Sequence, residues 1–255
     1  MAKVTGIIKL EGMIDDMIFY KDQGRKKLVK KKQQKFVTPE MFHNSPNFKK
    51  VRDHGKEFGQ AGKKAAIFRR LVYDFNENAK DYSYPGRVTK LLLEIIKEDT
   101  VQEAGARILA QGMREEGVAD YLIGFEGNKF RPLNQVLLTP WQWDETTGQI
   151  TIKGFNPLPH IDWPEKATHV QLCAGRSRWD FEGRAFETHY SDLFTFEKES
   201  AAHDLQLKVA EPQNTGWELL YFYIGFSIRE RKQLKPMKRI HNTLSLMKVF
   251  EYKAI

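Results

Sequence analysis

Only one cysteine, Cys173, occurs among the 255 residues, which excludes a disulfide framework and any cysteine-based zinc cluster. No apolar run approaches the roughly 18 to 20 residues that a membrane-spanning helix needs. The signature loops of common enzymes are missing as well. Gly62-Lys63-Lys64 lacks both the earlier glycine and the following hydroxyl of a phosphate-binding loop, and no G-x-G-x-x-G, G-x-S-x-G or H-E-x-x-H occurs. His160-x-Asp162 and Glu187-x-His189 place two ligand types at strand spacing, but nothing nearby in sequence completes a metal set. The adjacent pairs Asp15-Asp16 and Glu115-Glu116 make poor acid/base partners, because neighbouring strand side chains point to opposite faces. The expectation is a non-enzymatic protein without cofactor or metal.

Apolar residues make up 41% of the chain and aromatics 12%, enough for a core and too many for a disordered segment. The net charge is +8, and all of the excess lies in the first hundred residues. Lys9 and Glu11 interrupt what would be the apolar core of a secretory signal. A cytoplasmic product, or part of a particle assembled in the cytoplasm, is therefore expected.

The first segment reads as a small basic β-meander: strands over 3–10 and 13–20, turn residues at 21–24, and a strand over 25–32. Thr38-Pro39 and Ser45-Pro46 are helix starts, each a capping hydroxyl followed by proline. Phe48, Val51, Gly55, Phe58, Gly62, Ala65, Phe68 and Val72 then recur at three- and four-residue steps, which predicts one long helix. Phe36, Phe48, Phe58 and Phe68 are expected to face the core. Gly55, Gly59 and Gly62 each cost about 1 kcal/mol in a helix interior. Close approach of another backbone is the most economical reason for them, a break in the helix the alternative. Further helices are expected over 88–97 and 104–113, the latter begun by a capping box of Thr100 and Glu103.

From Phe130 the period changes to that of strands, expected over 135–139, 150–154, 169–174, 188–196, 204–209, 218–228 and 244–252. The fold class expected is α+β: a basic N-terminal meander plus helices (1–117), followed by an antiparallel immunoglobulin-like β-sandwich (130–255).

Arg25, Lys26, Lys27, Lys30, Lys31, Lys32 and Lys35 form the densest charge run, and Lys49, Lys50, Arg52, Lys63, Lys64, Arg69 and Arg70 continue it on the long helix. These are candidate interaction residues. They suit phosphate contacts in a nucleic acid, or equally an acidic patch on a neighbouring subunit. Trp141, Trp143, Trp163 and Trp179 suit sugar stacking or core packing.

Two segments carry a resemblance. One is Gly6-Ile-Ile-Lys-Leu-Glu-Gly12 leading into Ile18-Phe19-Tyr20-Lys21 and Gly24. The other runs from Ser45-Pro46 through Arg52 and Glu57-Phe58-Gly59-x-Ala61 to Arg69-Arg70. Together they resemble a family of uncharacterised Bacteroidota proteins with a basic hairpin, an E-F-G-x-A helix and a β-rich C-terminal half. This chain departs at Arg52-Asp53-His54, where the family usually reads Arg-Glu-Asn. The resemblance covers the first seventy residues and implies no activity. The layout is also similar to that of virion or tail structural proteins, an analogy of fold only. The missing catalytic motifs, the expected sandwich and the exposed-looking N-terminal strands lead to the expectation of a self-associating homo-oligomer or polymer, joined through those strands and the glycine-bearing helix.

Overall fold

A computed structural model describes residues 2–3, 12–15, 17–21, 27–31 and 37–252. It divides into two compact units, Met1–Lys49 and Lys50–Ile255. The region expected to hold a domain boundary, 117–130, lies inside the second unit.

The first unit is a four-stranded antiparallel sheet of β1 (Ala2–Lys3), β2 (Gly12–Ile14), β3 (Met17–Lys21) and β4 (Lys27–Lys31), in the order β1-β4-β3-β2. Asp15 takes a positive φ of 53° at the β2–β3 turn, a conformation that Asp tolerates better than most residues. Helix α1 (Pro39–Asn44) begins as expected: Thr38 Oγ1 accepts from the Met41 amide at 3.2 Å. Ser45 and Pro46 open a single 3₁₀ turn rather than the long helix itself.

The second unit opens with four helices, α2 (Lys49–Leu71), α3 (Tyr73–Ala79), α4 (Tyr84–Lys97) and the short α5 (Leu109–Gly112). Residues 100–108 form a loop where a helix was expected. Asp99 accepts from the amides of Val101, Gln102 and Ile108, and Thr100 donates to Glu115, so the expected capping box is not made. The strands follow: β5 (Phe125–Glu126), then helix α6 (Leu133–Val136), β6 (Gln142–Asp144), β7 (Gln149–Phe155), helix α7 (Pro157–His160) and β8 (His169–Trp179). After them come β9 (Phe186–Tyr190), β10 (Phe194–Glu197), β11 (His203–Lys208), β12 (Gly216–Glu230), β13 (Gln233–Pro236) and β14 (Thr243–Tyr252). The strand expected over 135–139 is instead the end of α6 and a single bridge, Leu137 to Ile161.

The architecture is α+β. β8, β12 and β14 form the centre of a seven-stranded antiparallel sheet ordered β10-β8-β12-β14-β5, with β9 on β8 and β13 on β12. A three-stranded sheet, β11-β7-β6, covers one face of it. There Ile150, Ile152, Leu205 and Leu207 meet Leu172, Leu220, Phe222 and Phe226. Helices α2 to α5 cover the other face, where Ala61, Ala65, Phe68 and Leu92 meet Trp179, Leu219, Tyr221 and Leu246. The central strands are thus buried on both sides, which is why β12 reads as a nearly unbroken apolar run instead of an alternating one. No helix among the described residues is long and apolar enough to cross a membrane.

Candidate interaction surface and two clefts

Helix α2 turns Glu57, Ala61, Ala65, Phe68 and Leu71 inward. Glu57 fits among them because its carboxylate accepts from the Gly105 amide at 2.8 Å. The expected apolar stripe is split by this orientation. Phe68 and Ala65 are core residues, but Val51 and Phe58 are 56% and 54% exposed, so Phe58 is not the core residue expected. Phe36 lies outside the described residues.

Gly55, Gly59 and Gly62 share the outward face with Val51, Phe58 and Ala66. No heavy atom stands within 4 Å of where a Cβ would sit at any of the three glycines. The close neighbour expected there is not supplied by the described chain. The helix therefore carries residues with poor helix propensity that its own packing does not require.

Beside this smooth face runs a row of cations. Arg52, Lys56, Lys63 and Arg70 recur at steps of four and seven residues and line one side of the helix over about 27 Å. Lys56 lies 3.4 Å from Asp53, while Lys63 and Arg70 form no ion pair among the described residues. Lys49 and Lys50 are exposed at the start of the helix. Lys64 leaves the row: it donates to the Glu182 carbonyl and stands 6.0 Å from the Trp179 ring, and burial lowers its pKa. Of the N-terminal run, Lys27, Lys30 and Lys31 lie on β4, and Arg25, Lys26, Lys32 and Lys35 fall outside the described residues.

Arg69 and Arg70 reach a small pocket of about 200 Å³ formed with Tyr73, Asn76, Lys80 and Tyr84. Sequence alone offered no reason to join residues 69–70 to 73–84. The link is the sharp turn at Val72 between α2 and α3.

A larger cleft of about 830 Å³ opens between the α6 segment and strands β5 and β14. Ile123, Leu138 and Trp141 contribute apolar walls, and Glu126 supplies its carboxyl. Oε1 of Glu126 accepts from the Leu133 amide at 3.1 Å and the Ser245 hydroxyl at 3.0 Å, while Oε2 is buried without a hydrogen-bond partner among the described residues. Burial pushes this carboxyl up to about 7, against the pull of those bonds and of the Arg87 charge. Among the described residues, Glu126 is the one titratable side chain lining the cleft.

The remaining candidates are dispersed over the second unit. Trp179 is in the helix-side core with its indole donating to the Gly183 carbonyl at 3.1 Å, whereas Trp141, Trp143 and Trp163 pack on the opposite side of the sheet. The four do not converge. Cys173 is buried, its thiol pushed up by burial, with Sγ 3.4 Å from the Ser191 carbonyl. His189 pairs with Glu187 at 2.8 Å, and His160 Nδ1 accepts from the Asn156 amide. Among the described residues no three His, Cys, Asp or Glu side chains are grouped to hold a metal. No protein-family model, curated protein or solved structure matches the chain.

Proposed function

We propose that this is a non-enzymatic assembly protein, as its similarity of layout to virion or tail components suggests, which self-associates through the outward face of α2. The observation that carries the reading is the open glycine row. Glycines that destabilise a helix, and beside which the described fold leaves room for a side chain, are accounted for by a neighbour absent from the monomer. Val51 and Phe58 supply large apolar contacts on the same face. At the N-terminal unit, Met13, Ile14 and Met17 are exposed around the β2–β3 turn, and β2 is an edge strand, a second surface suited to strand addition by another copy. In this reading the antiparallel sheets of the second unit form the body of each subunit in a particle assembled in the cytoplasm.

Sedimentation velocity on the full chain tests this. A species much larger than 29.8 kDa should persist in high salt. Gly55→Leu with Gly59→Leu should reduce it to monomer while leaving the melting curve cooperative. A monomer at tens of micromolar, or an oligomer indifferent to both substitutions, would sink the reading.

The row Arg52, Lys56, Lys63 and Arg70 favours a second reading, contact with the phosphates of a nucleic acid. That reading requires co-purifying 260 nm absorbance and an affinity that falls steeply with salt. Charge reversal at Lys63 and Arg70 would then flatten the salt dependence.

A further inference from the structure

The pocket beneath Arg69 and Arg70 has a chemistry separate from self-association. It lies where the last turn of α2, helix α3 and the first turn of α4 meet. Arg69, Arg70 and Lys80 bring three positive charges to it. Glu77, the one carboxylate lining it, is paired with Lys80. Neither arginine forms an ion pair among the described residues. The carbonyl end of α2 would repel an anion, but the Asn76 amide Nδ2 occupies the Arg69 carbonyl at 2.7 Å.

That bond fixes the orientation of the Asn76 side chain, which is only 2% exposed. Its Oδ1 is consequently a buried acceptor with no hydrogen-bond partner among the described residues. An unpaired buried acceptor is unfavourable by about 1 to 3 kcal/mol. In a cationic pocket, the ligand that satisfies it is an anion that still carries a proton. Hydrogen phosphate and phosphate monoesters at their first ionisation have such a hydroxyl; sulfate at neutral pH has none. Tyr84, held protonated by burial and hydrogen-bonded to the Asn76 side chain, lines the same wall. The volume of about 200 Å³ admits a phosphoryl group and leaves room for part of whatever carries it. Tyr73, 57% exposed at the rim, offers a ring to whatever extends beyond it.

We propose that this pocket is a phosphate site, in which Arg69, Arg70 and Lys80 hold the oxyanion and Asn76 Oδ1 accepts from its hydroxyl. The source is free phosphate or the end group of a small phosphate monoester.

Isothermal titration of the full chain at pH 6.5 and low ionic strength would test it, with inorganic phosphate, sulfate and a nucleoside monophosphate as probes. Phosphate should bind at least about tenfold more tightly than sulfate. Arg69→Ala with Arg70→Ala should weaken phosphate by about tenfold or more, the scale of a lost charged hydrogen bond. Lys80→Met should weaken it as well, giving a second variant if the double one folds poorly. Lys63→Ala, on the same helix but outside the pocket, should change nothing. Tyr73→Ala separates the sources: weakening of the monophosphate alone assigns an organic ester, and no change in either assigns the free ion. Absence of phosphate binding at 10 mM, equal affinity for sulfate, or equal losses in Lys63→Ala would overturn the site.

Discussion

Arg178 Nη2 donates to Glu218 Oε2 at 2.6 Å across the ladder between β8 and β12, with both side chains buried. Arg176 bonds the other carboxylate oxygen and stacks 5.6 Å from Trp143, while Glu211 at the surface pairs with the Arg178 guanidinium. Removing one member of a buried ion cluster strands the rest. Glu218→Ala should destabilise the second unit by about 3 to 5 kcal/mol in urea unfolding. Replacing Arg176, Arg178 and Glu218 together by apolar residues of similar volume should cost far less than that. An equal loss for the triple variant would show that the charges themselves hold the sheet.

The glycines divide into two classes that alanine distinguishes. At Gly55, Gly59 and Gly62 a methyl meets nothing, and each change to Ala should stabilise the monomer by about 1 kcal/mol. At Gly112 a Cβ would stand 2.0 Å from the Ile95 carbonyl oxygen, a backbone atom that cannot swing aside. Gly112→Ala should destabilise by about 1 to 3 kcal/mol or more. Thermal melts of the four single variants decide both points.

Glu126 makes stability depend on pH. Its folded pKa, about 7, is raised above the ordinary carboxyl value of 4.5 by burial. The fold favours the neutral acid, so the contribution is complete below 4.5 and is lost as pH rises through 7. The shift corresponds to at most about 3 kcal/mol. Urea midpoints should fall between pH 5 and pH 8, and Glu126→Gln should remove most of that slope. A wild-type and variant with parallel pH curves would contradict the assignment.

Asp81 works in the opposite sense. Burial alone would raise it, but bonds from the Ser83 hydroxyl, the Lys129 and Ser83 amides and Arg87 bring it down to about 2. Its contribution is present above pH 4 and is lost as pH falls toward 2. Asp81→Ala should cost about 2 to 4 kcal/mol at pH 7, because it leaves these donors unpaired beside a part-buried guanidinium.

How far the sequence foretold this molecule varied with the cause of each element. Thr38-Pro39 announced α1 because capping is local chemistry, and the strands at 150–154, 204–209, 218–228 and 244–252 lie within a few residues of their observed positions. The 135–139 segment misled because Val136-Leu137-Leu138 is an apolar run too short to tell a helical turn from a strand. The region from 188 to 196 held two strands, β9 and β10, since both pair with the single long β8 and only tertiary pairing reveals the break at 191–193. Phe58 looked like core because spacing alone cannot say which of two overlapping stripes faces inward. Buried Glu57, one residue earlier, marks the true inner face and is polar only because Gly105, 48 residues later, satisfies it. The phosphate pocket was half legible: its arginines stood out as charge, but Asn76 and Tyr84 carry no signal until α3 folds back.

Tyr221 and Phe222 are chain neighbours, yet one side chain belongs with the helices and the other with the small sheet. β12 is in effect a septum shared by two chambers. A change at an odd-numbered position from 219 to 223 tests one chamber, and a change at an even-numbered position from 220 to 226 tests the other. Whatever α2 binds on its far side, the small sheet can learn of it through movement of the backbones of β12 and its neighbours β8 and β14, whose side chains divide between the same two chambers.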